Sequence, residues 1–185
     1  MKTRRERAAY EDFSDHGRVY FDVVGEMLKV DDKVADCFLF NDKGEPVYLS
    51  QLPTERKLFN VINSIDTPIC KQETCNLDSF LTSKKNSSLF TMCTVSMDLP
   101  FALRRFRMEE LLDEDHLLLS DYRNADFGRN YGVLMMAHGE VKVPDRLLQR
   151  AVFIVEPNNV ISYVKYFEDQ GAKPDYSEAL EVLRR

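Results

Sequence analysis

A cysteine stands at the point where the sequence predicts that a buried strand turns into a helix. The apolar run 58–62 has the length of a strand, and residues 70–83 carry apolar side chains at helical spacing. Thr67 and Pro68 suit an N-cap and a first helical position, because Thr accepts from an unpaired backbone N–H and Pro has none to lose. Cys70 then lies in the first turn, where unpaired N–H groups and the helix dipole stabilise a thiolate. The pattern therefore favours a reactive thiol over an inert core cysteine.

A second thiol, Cys75, follows five residues later on the same predicted helix. Five residues correspond to a rotation of ~140° and a rise of ~7.5 Å, which places the two Cα atoms roughly 8–9 Å apart. A disulfide closes only below ~7 Å, so a bond from Cys70 to Cys75 requires the first helical turns to unwind. A helix residue packed under the sheet is the equally weighted alternative for Cys75.

Arg150 is the third residue whose position suggests chemistry. It immediately precedes the apolar strand predicted over 151–155, where a guanidinium can reach the rim of the sheet. Such an arginine can simply pair with a surface carboxylate. If it faces the first turn of the Cys70 helix instead, it stabilises the thiolate and offers donors to a bound oxygen substrate.

The other cysteines and the histidines are interpreted as structural. Cys37 and Cys93 lie in predicted strands and read as structural thiols. His16, His116 and His138 share no metal-ligand spacing with each other or with the cysteines. We therefore expect no bound metal and no cofactor.

A charged stretch follows the predicted helix over 99–107. The acidic run 109–115 is interpreted as a solvated helix end. Arg104, Arg105 and Arg107 are expected to neutralise that run.

The composition fits one globular domain. The chain has 185 residues, 44% hydrophobic and 30% charged, and we expect a mobile polar leader over 1–17 and a single domain over 18–185. A net charge of −6 disfavours nonspecific binding to nucleic acid or to anionic membranes. No apolar run approaches the ~20 residues of a membrane span, and polar residues follow the basic start, so a cytoplasmic location is expected.

Strands alternate with helices along the chain, which predicts an α/β fold with a mixed sheet and flanking helices. Hairpins are predicted for 18–24 with 27–30 and for 37–40 with 46–49. Further strands are predicted at 58–62, 89–95, 133–136, 151–155 and 160–164. Helices are predicted at 70–83, 99–107, 124–130 and 176–183.

Several ordered motifs resemble the peroxiredoxin family, and more narrowly its bacterial thiol peroxidase branch. The family pattern Pro-x-x-x-Thr-x-x-Cys corresponds to Asn63, Thr67 and Cys70. Further similar stretches are 96–102, 119–128 with 131–133, 150–155 and 174–180, and the resemblance covers about 20–183. It implies a thioredoxin-like fold with an N-terminal β-hairpin, a homodimer, and reduction of hydrogen peroxide or organic hydroperoxides without metal or organic cofactor. Thioredoxin or a similar dithiol would be the reductant.

Two departures from the family pattern bear on the site. Asn63 replaces the proline that, with Pro68 nearby, would shape the substrate pocket and shield the cysteine. The resolving cysteine of the branch follows an Arg-Phe pair, and here Arg107 stands in its place. The spacing of Cys75 resembles the resolving cysteine of another branch, the bacterioferritin comigratory type. We therefore expect Cys75 to resolve Cys70, while Thr67 and Arg150 hold the peroxide.

Two alternatives stay open at this point. Cys70 could act with an external thiol alone, leaving Cys75 in the core. A degenerate relative could have lost turnover and act as a redox sensor or binding protein, for which Asn63 and Arg107 are the support. Retention of Thr67, Cys70 and Arg150 favours the enzyme.

Overall fold

The computed structural model describes residues 3–7, 20–53, 55–83, 90–137 and 146–184. The strands there are β1 (Thr3–Arg7), β2 (Tyr20–Val24), β3 (Phe38–Asn41), β4 (Pro46–Tyr48), β5 (Arg56–Val61), β6 (Phe90–Ser96), β7 (His116–Ser120), β8 (Leu134–Ala137), β9 (Arg146–Leu148), β10 (Ala151–Val155) and β11 (Ile161–Tyr166). The helices are α1 (Pro68–Ser83), α2 (Pro100–Glu110), α3 (Asp126–Asn130) and α4 (Ser177–Leu183). No helix among these residues is long and apolar enough to cross a membrane.

A seven-stranded mixed sheet forms the centre of the molecule, as predicted. Its strand order is β11-β10-β5-β6-β7-β3-β4, with β5, β6 and β7 parallel and the other pairs antiparallel. Every residue of β6 is buried because both faces of the sheet are covered. One face packs against α1, α2 and α4, and the other packs against α3 and the second sheet.

The second sheet has the order β1-β2-β8-β9, and it corrects the first predicted hairpin. The partners of β2 are β1 and β8, and residues 27–30 form no strand. The Leu28 amide donates to the Tyr166 hydroxyl at 2.8 Å, and Asp31 donates to the Ile161 carbonyl at 3.0 Å. The segment therefore runs along β11, because long-range contacts override the local turn signal at Gly25-Glu26.

The pairing of β5 with β10 determines where the chemistry is located. Ala151 at the start of β10 lies opposite Val61 at the end of β5. Because the pair is antiparallel, the residue before β10 and the loop after β5 meet at one edge of the sheet. Since β6 is parallel to β5, the loop after Ser96 reaches the same edge.

Part of the predicted leader lies in β1, which pairs with β2, and residues 8–17 lie outside the described residues. The leader and the domain boundary at residue 18 stay predictions. The strands β7 and β9 have no counterpart among the predicted strands.

Candidate active site

The loop between β5 and α1 leads into the helical turn that carries Cys70, and the Asp98 carboxylate holds that loop. Ser64 donates its hydroxyl to Asp98 Oδ1 at 2.7 Å, and the Ile65 amide donates to Oδ2 at 2.9 Å. Ser96, at the end of β6, donates its hydroxyl to the same Oδ2 at 2.7 Å. Three donors on one carboxylate connect the loop to the neighbouring strand. Sequence reasoning noted the 96–102 stretch but gave Asp98 no role.

Thr67 and Pro68 stand at the start of α1, which begins at Pro68. The Thr67 hydroxyl donates to the Ser64 carbonyl at 2.9 Å, and the Thr67 carbonyl accepts from the Lys71 amide at 2.9 Å. Since the hydroxyl hydrogen is committed to Ser64, the Thr67 oxygen remains an acceptor. Thr67 is half-buried and Pro68 is exposed, whereas Cys70 is buried.

Arg150 reaches the Cys70 thiol. Its Nη2 lies 3.2 Å from Cys70 Sγ, and each residue is only 1% exposed. The opposite corner of the guanidinium, Nη1, donates to the Ala172 carbonyl at 2.7 Å. Among the described residues, Arg150 Nε is one of three buried side-chain polar atoms without a hydrogen-bond partner. A guanidinium this close to a buried sulfur supplies positive charge and a fixed donor beside that atom.

Asn63 is buried beside this pair. Its Oδ1 accepts from Arg150 Nη2 at 3.4 Å, and its Nδ2 donates to the Leu148 carbonyl at 2.6 Å. Nδ2 also donates to Gln170 Oε1 at 2.9 Å. The Asn63 amide is thus bonded to protein groups around Arg150.

Cys75 lies on α1 and packs toward α2. Its thiol donates to Glu110 Oε2 at 3.7 Å, and Lys71 Nζ lies 2.5 Å from Glu110 Oε1. Burial and the neighbouring Glu110 carboxylate raise the pKa of the Cys75 thiol. Cys70 and Cys75 are both free thiols on one continuous helix. Cys75 is therefore held as a protonated thiol while α1 is wound.

The remaining cysteines are buried away from this loop. Cys93 lies within β6 and Cys37 immediately precedes β3. Burial raises the pKa of each thiol to about 12. Both stay protonated at neutral pH, which agrees with a structural role.

Arg107 does not neutralise the acidic run, contrary to the prediction. It is buried, and its Nε donates to Asp42 Oδ2 at 2.7 Å. It also donates to the main-chain carbonyls of Asp113 and His116. Of the three arginines, Arg105 does contact the run, through Glu109 at 2.9 Å. Spacing along the chain gave no signal for a partner 65 residues away.

Sequence reasoning missed a row of buried polar groups beneath α1. His116 Nδ1 lies 3.0 Å from Asp78 Oδ1, and its Nε2 lies 2.8 Å from Thr94 Oγ1. Thr94 accepts from Asn60 Nδ2 at 3.2 Å, and Asn60 Oδ1 accepts from the Tyr176 hydroxyl at 2.8 Å. Burial lowers the pKa of His116, so the ring is neutral in the folded chain. The sequence could have indicated this row through the single polar residues that stand within otherwise apolar strands.

No group of three or more His, Cys, Asp or Glu in the described part of the chain is arranged to hold a metal ion. His16 and His138 lie outside that part. The chemistry that the arrangement offers is that of a thiol next to a fixed guanidinium.

Comparisons with known proteins agree on one family. The redoxin family model matches residues 29–183. A thiol peroxidase of Oceanobacillus iheyensis is 34% identical over 163 residues, which cover 88% of this chain and 93% of that protein. A thiol peroxidase of Streptococcus pneumoniae strain R6 is 35% identical over 160 residues, covering 86% and 91%. The crystal structure of a peroxiredoxin-like protein from Aquifex aeolicus has a TM-score of 0.79 and 25% identity, covering 97% of this chain and 96% of that one.

Proposed function

The chain belongs to the redoxin family, in the thiol peroxidase branch of the peroxiredoxins, and we propose that it reduces peroxides with Cys70 as the attacking residue. The observation that carries this proposal is the 3.2 Å contact between Arg150 Nη2 and Cys70 Sγ. It places a permanent cation beside a thiol at a helix N-terminus, and both features stabilise negative charge that develops at this site during the reaction.

In the first step, the Cys70 thiolate attacks the distal oxygen of a hydroperoxide. The S–O bond forms as the O–O bond breaks, and the leaving oxygen takes a proton to become water or an alcohol. Cys70 is oxidised to the sulfenic acid and the peroxide is reduced. The substrate is hydrogen peroxide or an organic hydroperoxide, since the bonds that form and break are the same for both.

Thr67 and Arg150 hold the two peroxide oxygens in line with the sulfur. The Thr67 oxygen accepts the O–H of the peroxide, because its own hydrogen is bonded to Ser64. The Arg150 guanidinium stabilises the charge that develops on the leaving oxygen. Asn63 and Pro68 complete the pocket, Asn63 through Arg150 and Pro68 at the surface.

Cys75 resolves the sulfenic acid in the second step. Its sulfur attacks the Cys70 sulfur, the S–S bond forms, and the hydroxyl leaves as water. Because both residues lie on α1, the first turns of the helix unwind and the Cys75 contact with Glu110 breaks. Thioredoxin or a similar dithiol then reduces the disulfide and becomes oxidised itself.

The family resemblance and the charge balance support the remaining assignments. We expect a homodimer, a cytoplasmic location, and no nucleic-acid or membrane partner. The alternative of a sensor without turnover receives no support from the geometry, since Arg150 still contacts Cys70.

A coupled assay tests the activity. Peroxide consumption with thioredoxin, its reductase and NADPH is expected for the wild type and is expected to be abolished in Cys70→Ser. Cys93→Ser, a buried thiol in β6, is the matched control and should keep the activity per folded molecule. Failure of the folded wild type to consume either class of peroxide would refute the proposal.

A further inference from the structure

The segment after β11 folds back over Arg150 and buries one of its own polar side chains. Gln170 follows Glu168 and Asp169, which are exposed, yet only 2% of Gln170 is exposed. Its Oε1 accepts from the Arg150 amide at 2.7 Å, and its Nε2 donates to the Phe167 carbonyl. A buried amide with both ends bonded adds directional restraint to its partners.

Gln170 and Asn63 together contact both ends of Arg150. Gln170 Oε1 accepts from Asn63 Nδ2 at 2.9 Å as well as from the Arg150 main chain. Asn63 Oδ1 in turn accepts from Arg150 Nη2, the nitrogen that contacts Cys70. The bond from Gln170 also orients the Asn63 amide, since it requires the Nδ2 end to face Gln170.

The guanidinium depends on these neutral partners. Its acceptors are the Ala172 carbonyl, Asn63 Oδ1 and the Cys70 sulfur. Among the described residues, no carboxylate is in ion-pair contact with Arg150. The guanidinium is thus left facing the Cys70 sulfur, and its placement depends on oxygens from the Gln170 segment and from Asn63.

We propose that Gln170 is a positioning residue of the peroxidase, which acts through Asn63 and the Arg150 main chain to hold the guanidinium on the Cys70 sulfur. The proposal rests on the proposed function of Cys70. It also explains how the chain accommodates Asn63, because each polar end of that amide is bonded to a protein group.

One variant of Gln170 tests the role. Gln170→Met keeps the length of the side chain and removes its polar atoms. The readouts are the pH profile of Cys70 alkylation by iodoacetamide, followed by peptide mass spectrometry, and the rate constant of Cys70 oxidation by hydrogen peroxide. Glu168→Gln, at an exposed position of the same segment, is the control.

In Gln170→Met we expect the alkylation profile to move to higher pH and the oxidation rate constant to fall roughly tenfold, the scale of one net hydrogen bond. Glu168→Gln should match the wild type in both readouts. An unchanged alkylation profile in folded Gln170→Met would overturn the proposal. If Gln170→Met does not fold, Asn63→Ala is measured in the same way, and there an unchanged profile would overturn it.

Alkylation needs no peroxide turnover, so the two proposals fail separately. A wild type without peroxidase activity whose alkylation profile still moves in Gln170→Met would refute the proposed function alone. Full activity in Gln170→Met with a wild-type profile would refute the positioning role alone.

Discussion

Arg107 donates to the Asp42 carboxylate at 2.7 Å, and both side chains are buried. Arg107 also donates to the His116 carbonyl at 2.7 Å, which joins the end of α2 to β7. A residue at the place where the thiol peroxidase branch has its resolving cysteine is thus part of the structural framework. If a cysteine of this chain resolves Cys70, as proposed, it does not stand at position 107.

Removing the Arg107 side chain should destabilise the fold without abolishing the oxidation of Cys70 by peroxide. Arg107→Met leaves Asp42 buried without its partner, and breaking a buried pair costs about 3–5 kcal/mol. Urea unfolding measures the loss. The double variant Arg107→Met with Asp42→Leu should recover part of it, because no charge is left unpaired. Stability unchanged in Arg107→Met would contradict the structural role.

Arg150 should control the oxidation of Cys70. Loss of one preorganised donor to developing negative charge costs about 10²–10³ in rate, so Arg150→Met should lower the rate constant for Cys70 oxidation by that factor. Arg150→Lys keeps the charge but not the planar guanidinium, so its rate constant should lie between those of the wild type and Arg150→Met. Stopped-flow measurement with hydrogen peroxide gives the constants, and Arg146→Met, at an exposed position of β9, is the control. Wild-type oxidation in folded Arg150→Met would refute this assignment.

Glu110 should slow the second step. Because Glu110 contacts both Cys75 and Lys71, unwinding of α1 must break both interactions. Glu110→Gln also removes a carboxylate that raises the pKa of Cys75, so more thiolate should be present at a given pH. Disulfide formation after one turnover should become severalfold faster and its pH midpoint should fall. Glu109→Gln, whose neighbour is Arg105, should form the disulfide at the wild-type rate. An equal acceleration in both variants would contradict a specific role for Glu110.

His116 should make stability depend on pH. Burial lowers the pKa of His116 in the folded chain, whereas the unfolded chain binds a proton near pH 6.5. Its contribution is therefore fully present above about pH 6.5 and is lost as the pH falls below that value. The difference in unfolding free energy between wild type and His116→Gln should shrink as the pH falls. Burial raises the pKa of Asp121 to about 7, but Asp121 is present in both proteins, so its contribution cancels in this difference. A difference that is constant from pH 8 to 5 would contradict a neutral buried His116.

Much of the fold could be predicted because its signals are local. The helix that starts at Pro68 and the strands β5, β6 and β10 follow from apolar periodicity and capping residues. The strand β7 was missed because three leucines between polar residues are too short a pattern to distinguish from a helix end. The hairpin of 18–24 with 27–30 was wrong because Leu28 bonds to Tyr166 and the adjoining Asp31 bonds to Ile161, each more than 120 residues away.

The residues of the site also divide into those that local sequence patterns predict and those that they do not. Cys70 was identified because it lies in the first turn of the helix after β5, and Arg150 because it immediately precedes β10. Antiparallel pairing of β5 with β10 brings the two together. Gln170 could not be predicted, since its sequence neighbours are typical of an exposed loop. Its burial depends on partners 20 and 107 residues away.

The central claim is that Cys70 is oxidised by peroxide and that Cys75 resolves it. Peptide mass spectrometry after one equivalent of hydrogen peroxide tests this claim most directly. The wild type should contain a Cys70–Cys75 disulfide with Cys37 and Cys93 reduced, and Cys75→Ser should hold a sulfenic acid at Cys70. Persistent sulfenic acid in the wild type, together with undiminished turnover in Cys75→Ser, would contradict the account.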